Sequence, residues 1–115
     1  MTARFMTKDR EVRVAIVDRG LGICTTLKRR WPDTTAENAL SRVLLEGEYS
    51  ARSRENNLGL GLSNLAGIIE RRGGDLLVLS ESSAAELRRG GKNWFGRLSS
   101  HFAGTAVFFT LPIGG

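Results

Sequence analysis

The chain carries one cysteine, Cys24, and one histidine, His101, among its 115 residues. A single cysteine closes no internal disulfide, and one cysteine with one histidine builds no structural zinc site. No apolar run approaches the roughly 18 residues that a membrane-spanning helix needs. Met1 to Arg10 is polar and charged, without the apolar stretch of a secretory signal. The G-K-[ST] ending of a P-loop is missing, and Gly59-Leu60-Gly61-Leu62-Ser63-Asn64 lacks the third glycine of a dinucleotide fingerprint. These absences lead to the expectation of a reduced, cytoplasmic protein with no membrane segment.

What is present fits an ordinary folded chain. Hydrophobic residues make up 41% and charged residues 25%, which excludes global disorder. The length predicts one domain over residues 1–115. Two quantities stand out. Fourteen residues are glycine, above the usual share of roughly 7%. The net charge is +5, which favours an anionic partner without choosing among a nucleotide, a nucleic acid and an acidic surface.

Hydrophobic periodicity predicts the elements. Val12 to Val17 is rich in β-branched residues and reads as a strand, with Val12, Val14, Ile16 and Asp18 on one face. A weaker strand is expected near Ala3 to Met6, with a turn at Thr7-Lys8-Asp9. Lys28 to Asp33 reads as the end of a short helix and a turn. Thr34 or Thr35 with Glu37 is a capping signal for a helix through Ala39, Leu40, Val43 and Leu44, ending near Gly47. Glu48 to Asn57 has no periodicity and reads as a mobile loop. Leu62, Leu65, Ala66 and Ile69 recur at helical spacing, and Gly73-Gly74 stops that helix. Leu76–Leu79 and Thr105–Leu111 read as buried strands. Ser82 to Gly104 reads as a basic, irregular insert whose Trp94 and Phe95 pin a hairpin to the domain or stack on a base. His101 reads as a surface histidine. This order predicts an α+β, two-layer sandwich with a mixed sheet.

Two glycine loops carry the chemistry. Asp18-Arg19-Gly20-Leu21-Gly22-Ile23 follows a strand, and an acid at a strand end suits a donor such as the exocyclic amine of adenine. Gly59-Leu60-Gly61-Leu62-Ser63 is expected as a loop directly before a helix. There, backbone amides and the helix dipole favour an anion.

On these residues the chain resembles the histidine-kinase-like ATPase superfamily. Its first glycine box has the form D-x-G-x-G-I and its second G-x-G-L-[SA]. A helix ending in a glycine pair and a serine-bearing strand follow, matched by Ile68 through Ser80. A closing strand that begins G-T and ends L-P is matched by Gly104-Thr105 and Leu111-Pro112. The resemblance covers about 100 residues. It implies that Asp18 binds the adenine amine with support from Thr105. It implies that Gly20, Gly22 and Ile23 shape the nucleotide approach, and that Gly59, Leu60, Gly61, Leu62 and Ser63 cradle phosphates. It also implies that roughly Gly47 to Leu58 forms a lid from which Arg52 and Arg54 reach phosphates. ATP is the implied ligand, and Mg²⁺ is expected for the full family domain.

The family's magnesium-binding asparagine and water-activating glutamate sit on a helix before the first box. Only 17 residues precede Asp18, and they read as strands. The chain is therefore expected to be the C-terminal two-thirds of the family domain, truncated or degenerate, with no catalytic residue of its own. Loss of that helix would bare apolar surface around Val14 and Ile16, which suggests a homodimer or a missing upstream segment. The alternative reading is a non-hydrolysing scaffold whose basic insert binds a protein or nucleic acid.

Overall fold

A computed structural model describes residues 2–8, 10–45 and 57–113. Strand β1 (Thr2–Lys8) and strand β2 (Glu11–Asp18) form an antiparallel hairpin with Lys8 opposite Glu11. Three helices follow: α1 (Ile23–Lys28), α2 (Ala39–Leu45) and α3 (Asn57–Arg72). Strands β3 (Asp75–Arg88) and β4 (Lys92–Pro112) close the chain. No helix among the described residues is long and apolar enough to cross a membrane.

The sheet order is β1-β2-β4-β3, and each neighbouring pair is antiparallel. The expected mixed sheet is therefore corrected. The helical crossover carries the chain from β2 to β3, but β4 inserts between them and pairs antiparallel with both. The two strands joined by the crossover never become neighbours.

Period two decides which residues face the helices. Ile16, Val107 and Val78 line up across β2, β4 and β3, and Val14, Phe109 and Leu76 form the next row. Ile23, Leu27, Leu40, Val43, Leu44, Leu62, Ala66 and Ile69 cover these rows from the helical side. Val14 is buried and Ile16 packs against this cluster. The apolar surface expected around them is thus internal. Exposed apolar area lies instead on the opposite face, at Phe108.

Local signals account for the helix ends. The Thr35 hydroxyl accepts from the Asn38 amide at 3.2 Å, and Asn38 Oδ1 accepts from the Thr35 amide at 2.7 Å. This reciprocal cap uses Asn38 where the sequence suggested Glu37, because the third residue of the turn is the one that reaches back. Thr34 is instead buried, donating to the Trp31 carbonyl. At the end of α3, the Gly74 amide reaches the Ile69 carbonyl and the Gly73 amide the Glu70 carbonyl, with Gly73 at φ 71°. That is a Schellman ending, as the glycine pair predicted. Between α1 and α2, Arg42 grips both carboxylate oxygens of Asp33 and the Thr34 hydroxyl. The Arg42 hydrogen bond holds the Asp33 carboxyl below its ordinary range.

The largest correction concerns Ser82 to Gly104. The segment is regular: β3 and β4 run on as a hairpin arm, with Ser83 opposite Arg97 and Arg88 opposite Lys92. Arg89-Gly90-Gly91 makes its tip, both glycines at positive φ. The ladder shifts register around Glu81, and the arm bends so that the Arg89 amide donates to Asp75 Oδ1 at 2.8 Å. Ala85 and Leu87 then join the core, Phe95 packs against it, and Trp94 stays half exposed. Alternation of Ser83, Ala85 and Leu87 was the available signal. Two small residues and a serine carry too little hydrophobicity to announce it. His101 is exposed, as expected.

Two outcomes follow from this packing. Ile69→Ala removes a fully buried side chain at the α3–sheet contact. It should lower stability by about 2–5 kcal/mol, read as a shifted urea midpoint at constant slope. For Asp33, a lowered carboxyl pKa contributes stability above the unfolded value of about 4, lost as pH falls through the folded value. Asp33→Asn should therefore be less stable than wild type at neutral pH, and thermal melts of the two should converge below about pH 3.

Candidate nucleotide site

The polar end of the core face is a single row. Asp18 on β2 stands opposite Thr105 on β4, and Thr105 stands opposite Ser80 on β3. The alternation that points Val14 and Ile16 inward places Asp18 on the same face, one step beyond the apolar rows. Ser80 and Thr105 are fully buried, whereas Asp18 is half-buried.

Ser80 has all its hydrogen-bonding capacity in use. Its Oγ accepts from the Ile23 amide at 2.8 Å and lies 2.8 Å from Thr105 Oγ1 and 3.2 Å from the Gly104 carbonyl. A hydroxyl has one proton and two lone pairs. The assignment that satisfies every partner has Thr105 donating to Ser80 and Ser80 donating to Gly104. Thr105 Oγ1 then keeps its lone pairs as acceptors.

The first glycine box is shaped by two close approaches. The Gly20 amide donates to Asp18 Oδ1 at 2.9 Å, which orients that carboxylate. Among the described residues no hydrogen bond occupies Asp18 Oδ2. Gly22 precedes α1 in an extended conformation, and a Cβ there would lie 2.0 Å from Glu81 Oε1. The Glu81 carboxylate accepts from both the amide and the hydroxyl of Thr25, at 2.9 and 2.8 Å. The first-turn amides of α1 are thus satisfied by β3, at Ile23 through Ser80 and at Thr25 through Glu81. Gly104, at φ 91°, passes so close to the Asp18 carbonyl that a Cβ would lie 2.1 Å from it. This explains a glycine immediately before Thr105. Cys24 is buried in the same helix, and burial pushes its thiol up, so it remains protonated and shielded.

The second box behaves differently. It was expected as a loop before a helix, yet α3 already begins at Asn57, so Gly59, Leu60 and Gly61 lie within its first turns. The run of leucines between the glycines supports helix from its first residue, against the glycine penalty of about 1 kcal/mol each. Leu62 points into the core, fully buried. Ser63 borders a cavity of about 450 Å³ between α2, α3 and the tip of the hairpin arm, with Leu44, Ala66, Arg89 and Gly91 among its walls. The structure thus brings together Asp18, Gly20, Gly22, Ile23 and Thr105. No hydrogen bond among the described residues joins them to Leu62 or Ser63. Residues 46–56, with Arg52, Arg54 and most of the expected lid, lie outside the described residues.

Glu81 is the site residue that sequence reasoning missed. It stands at φ 55° where the β3–β4 register shifts. A lone glutamate in an apparently irregular stretch carries no periodic signal. Among the described residues no cluster of three His, Cys, Asp or Glu side chains could hold a metal ion.

Comparison with protein families, curated proteins and solved structures found no match to this chain.

The Gly104 approach has a direct test. Gly104→Ala should destabilise by at least about 1–3 kcal/mol from backbone strain, with the Asp18 clash added. Gly90→Ala has a similar φ, 86°, but nothing within 4 Å, so it should carry only the strain. Chemical denaturation of both variants separates the two contributions.

Proposed function

We propose that this chain is an ATP-binding module of the histidine-kinase-like type, built into a signalling kinase or related ATPase. The observation that carries the reading is the Asp18–Thr105 pair. A half-buried carboxylate with Oδ1 bound to Gly20 and a buried hydroxyl with acceptor capacity stand side by side at the sheet end. Adenine presents an amine donor to such acceptors, and guanine presents a carbonyl oxygen at the equivalent position. Asp18 Oδ2 would take the amine, with Thr105 supporting it through water. Gly20 and Gly22 would leave room for the base, and the amides opening α3, around Gly59, Leu60, Gly61 and Ser63, would receive phosphate charge. Bound Mg²⁺ would neutralise charge between the phosphates. The described residues assemble no carboxylate cluster for it, so phosphoryl transfer is assigned to no residue of this chain.

The second reading, a scaffold whose basic arm meets a protein or nucleic acid, draws on exposed Arg88, Arg89, Lys92 and Trp94 at the hairpin. Isothermal titration decides between the two. ATP should bind in preference to GTP, and Asp18→Asn should weaken ATP about tenfold to a hundredfold as a charge-assisted bond is lost. Equal affinity for both nucleotides, or an unaffected Asp18→Asn, removes the nucleotide reading. Quenching of Trp94 by oligonucleotide in a chain that ignores ATP would favour the second.

A further inference from the structure

The sheet face turned away from the helices carries a groove of about 720 Å³. Its floor is the cross-strand row Arg4–Ala15–Phe108–Leu77, running over β1, β2, β4 and β3 in order. The adjacent row runs Arg13–Thr110–Asp75 over β2, β4 and β3. Glu86, from the hairpin arm, borders the groove together with Asp75. Phe108 is exposed, and Ala15 and Leu77 are only half-buried. Cations thus occupy the β1–β2 side, carboxylates the β3 side, and apolar side chains the centre.

This division of charge selects the occupant. An apolar anion lying in the groove would meet Asp75 and Glu86, and an apolar cation would meet Arg4 and Arg13. A surface with the same pattern reversed satisfies both sides, and the chain itself is such a surface. Rotation by half a turn about an axis in the interface, parallel to the strands, sets β1 of one copy over β3 of the other. It also sets β2 over β4. Rows are preserved under that rotation, so the large Phe108 of each copy lies over the small Ala15 of the other. The basic side of each copy then faces the acidic side of the other. This is an isologous contact between aligned sheets, a packing common in β-sandwiches.

We propose that this open sheet face is the homodimer interface of the protein, closed face to face about a two-fold axis along the strands. The apolar centre supplies the contact, and the two charge borders choose this orientation over the one that would stack Arg4 on Arg4. The inference is independent of nucleotide binding.

Sedimentation velocity on the full chain from about 1 to 100 μM tests it, a range that brackets micromolar association. Wild type should pass from monomer to dimer across that range. Phe108→Glu should remain monomeric while keeping its circular dichroism spectrum and cooperative melt, because the side chain it replaces is exposed. Arg4→Glu should weaken association about tenfold, and Arg4→Glu with Glu86→Arg should restore it to within a few-fold. Ile68→Glu, on the exposed side of α3, should leave the dimer unchanged. A wild-type chain that is monomeric throughout overturns the proposal. So does a dimer that survives both Phe108→Glu and Arg4→Glu, or a charge swap that fails to restore association.

Discussion

One buried hydroxyl ties this fold together. Ser80 belongs to β3, accepts from the first amide of α1, and contacts the carbonyl of Gly104 and the hydroxyl of Thr105 on β4. Three segments distant in the chain converge on a single oxygen whose one proton and two lone pairs are all used. Removing it would orphan a helix-terminal amide and a strand carbonyl inside the core, and unsatisfied buried groups of that kind cost about 1–3 kcal/mol each. The position of α1, and with it the loop from Asp18 to Gly22, therefore depends on β3 as much as on its own residues.

Glu81, the next residue, extends the same constraint. Its carboxylate caps the third amide of α1 while its backbone takes a left-handed conformation at the register shift. One irregularity thus does two things: it docks the helix and it redirects the strand into the arm. The close approaches at Gly22 and Gly104 are the geometric consequence, because helix, strand and arm meet where a Cβ at either position would collide. The candidate base-binding pair, Asp18 and Thr105, lies directly beside this junction. Any ligand held there would rest on the most tightly tied part of the molecule, as recognition of a small polar group requires.

The helical layer covers only one face of the sheet. A sheet of four strands whose second face carries Phe108, Leu77 and Ala15 leaves apolar surface in water unless another surface covers it. The arm does not do so: it bends to place Ala85 and Leu87 in the helical-side core and leaves its tip basic. Local hairpin geometry thus settles which side of the sheet remains available for contact.

Much was determined by the chain's own pattern. Alternation set β2 and the inner part of β4, and put Asp18 on the core face. Helical spacing of Leu62, Ala66 and Ile69 and the Gly73-Gly74 ending marked α3, and the pairing of a threonine cap with a residue three further on marked α2. These features depend on neighbours within a few residues, which is the range over which sequence period reports structure. Tertiary structure alone decided the rest. That β4 separates β2 from β3, making the sheet antiparallel throughout, follows from long-range pairing that no local signal encodes. That Ser82 to Gly104 is an ordered arm depends on its bend at Glu81 and on the Asp75 carboxylate fourteen residues from Arg89. That Glu81 caps α1 requires strand and helix to be docked first. In each case the deciding contact joins residues far apart in the chain, and its energy exists only once the fold has brought them together.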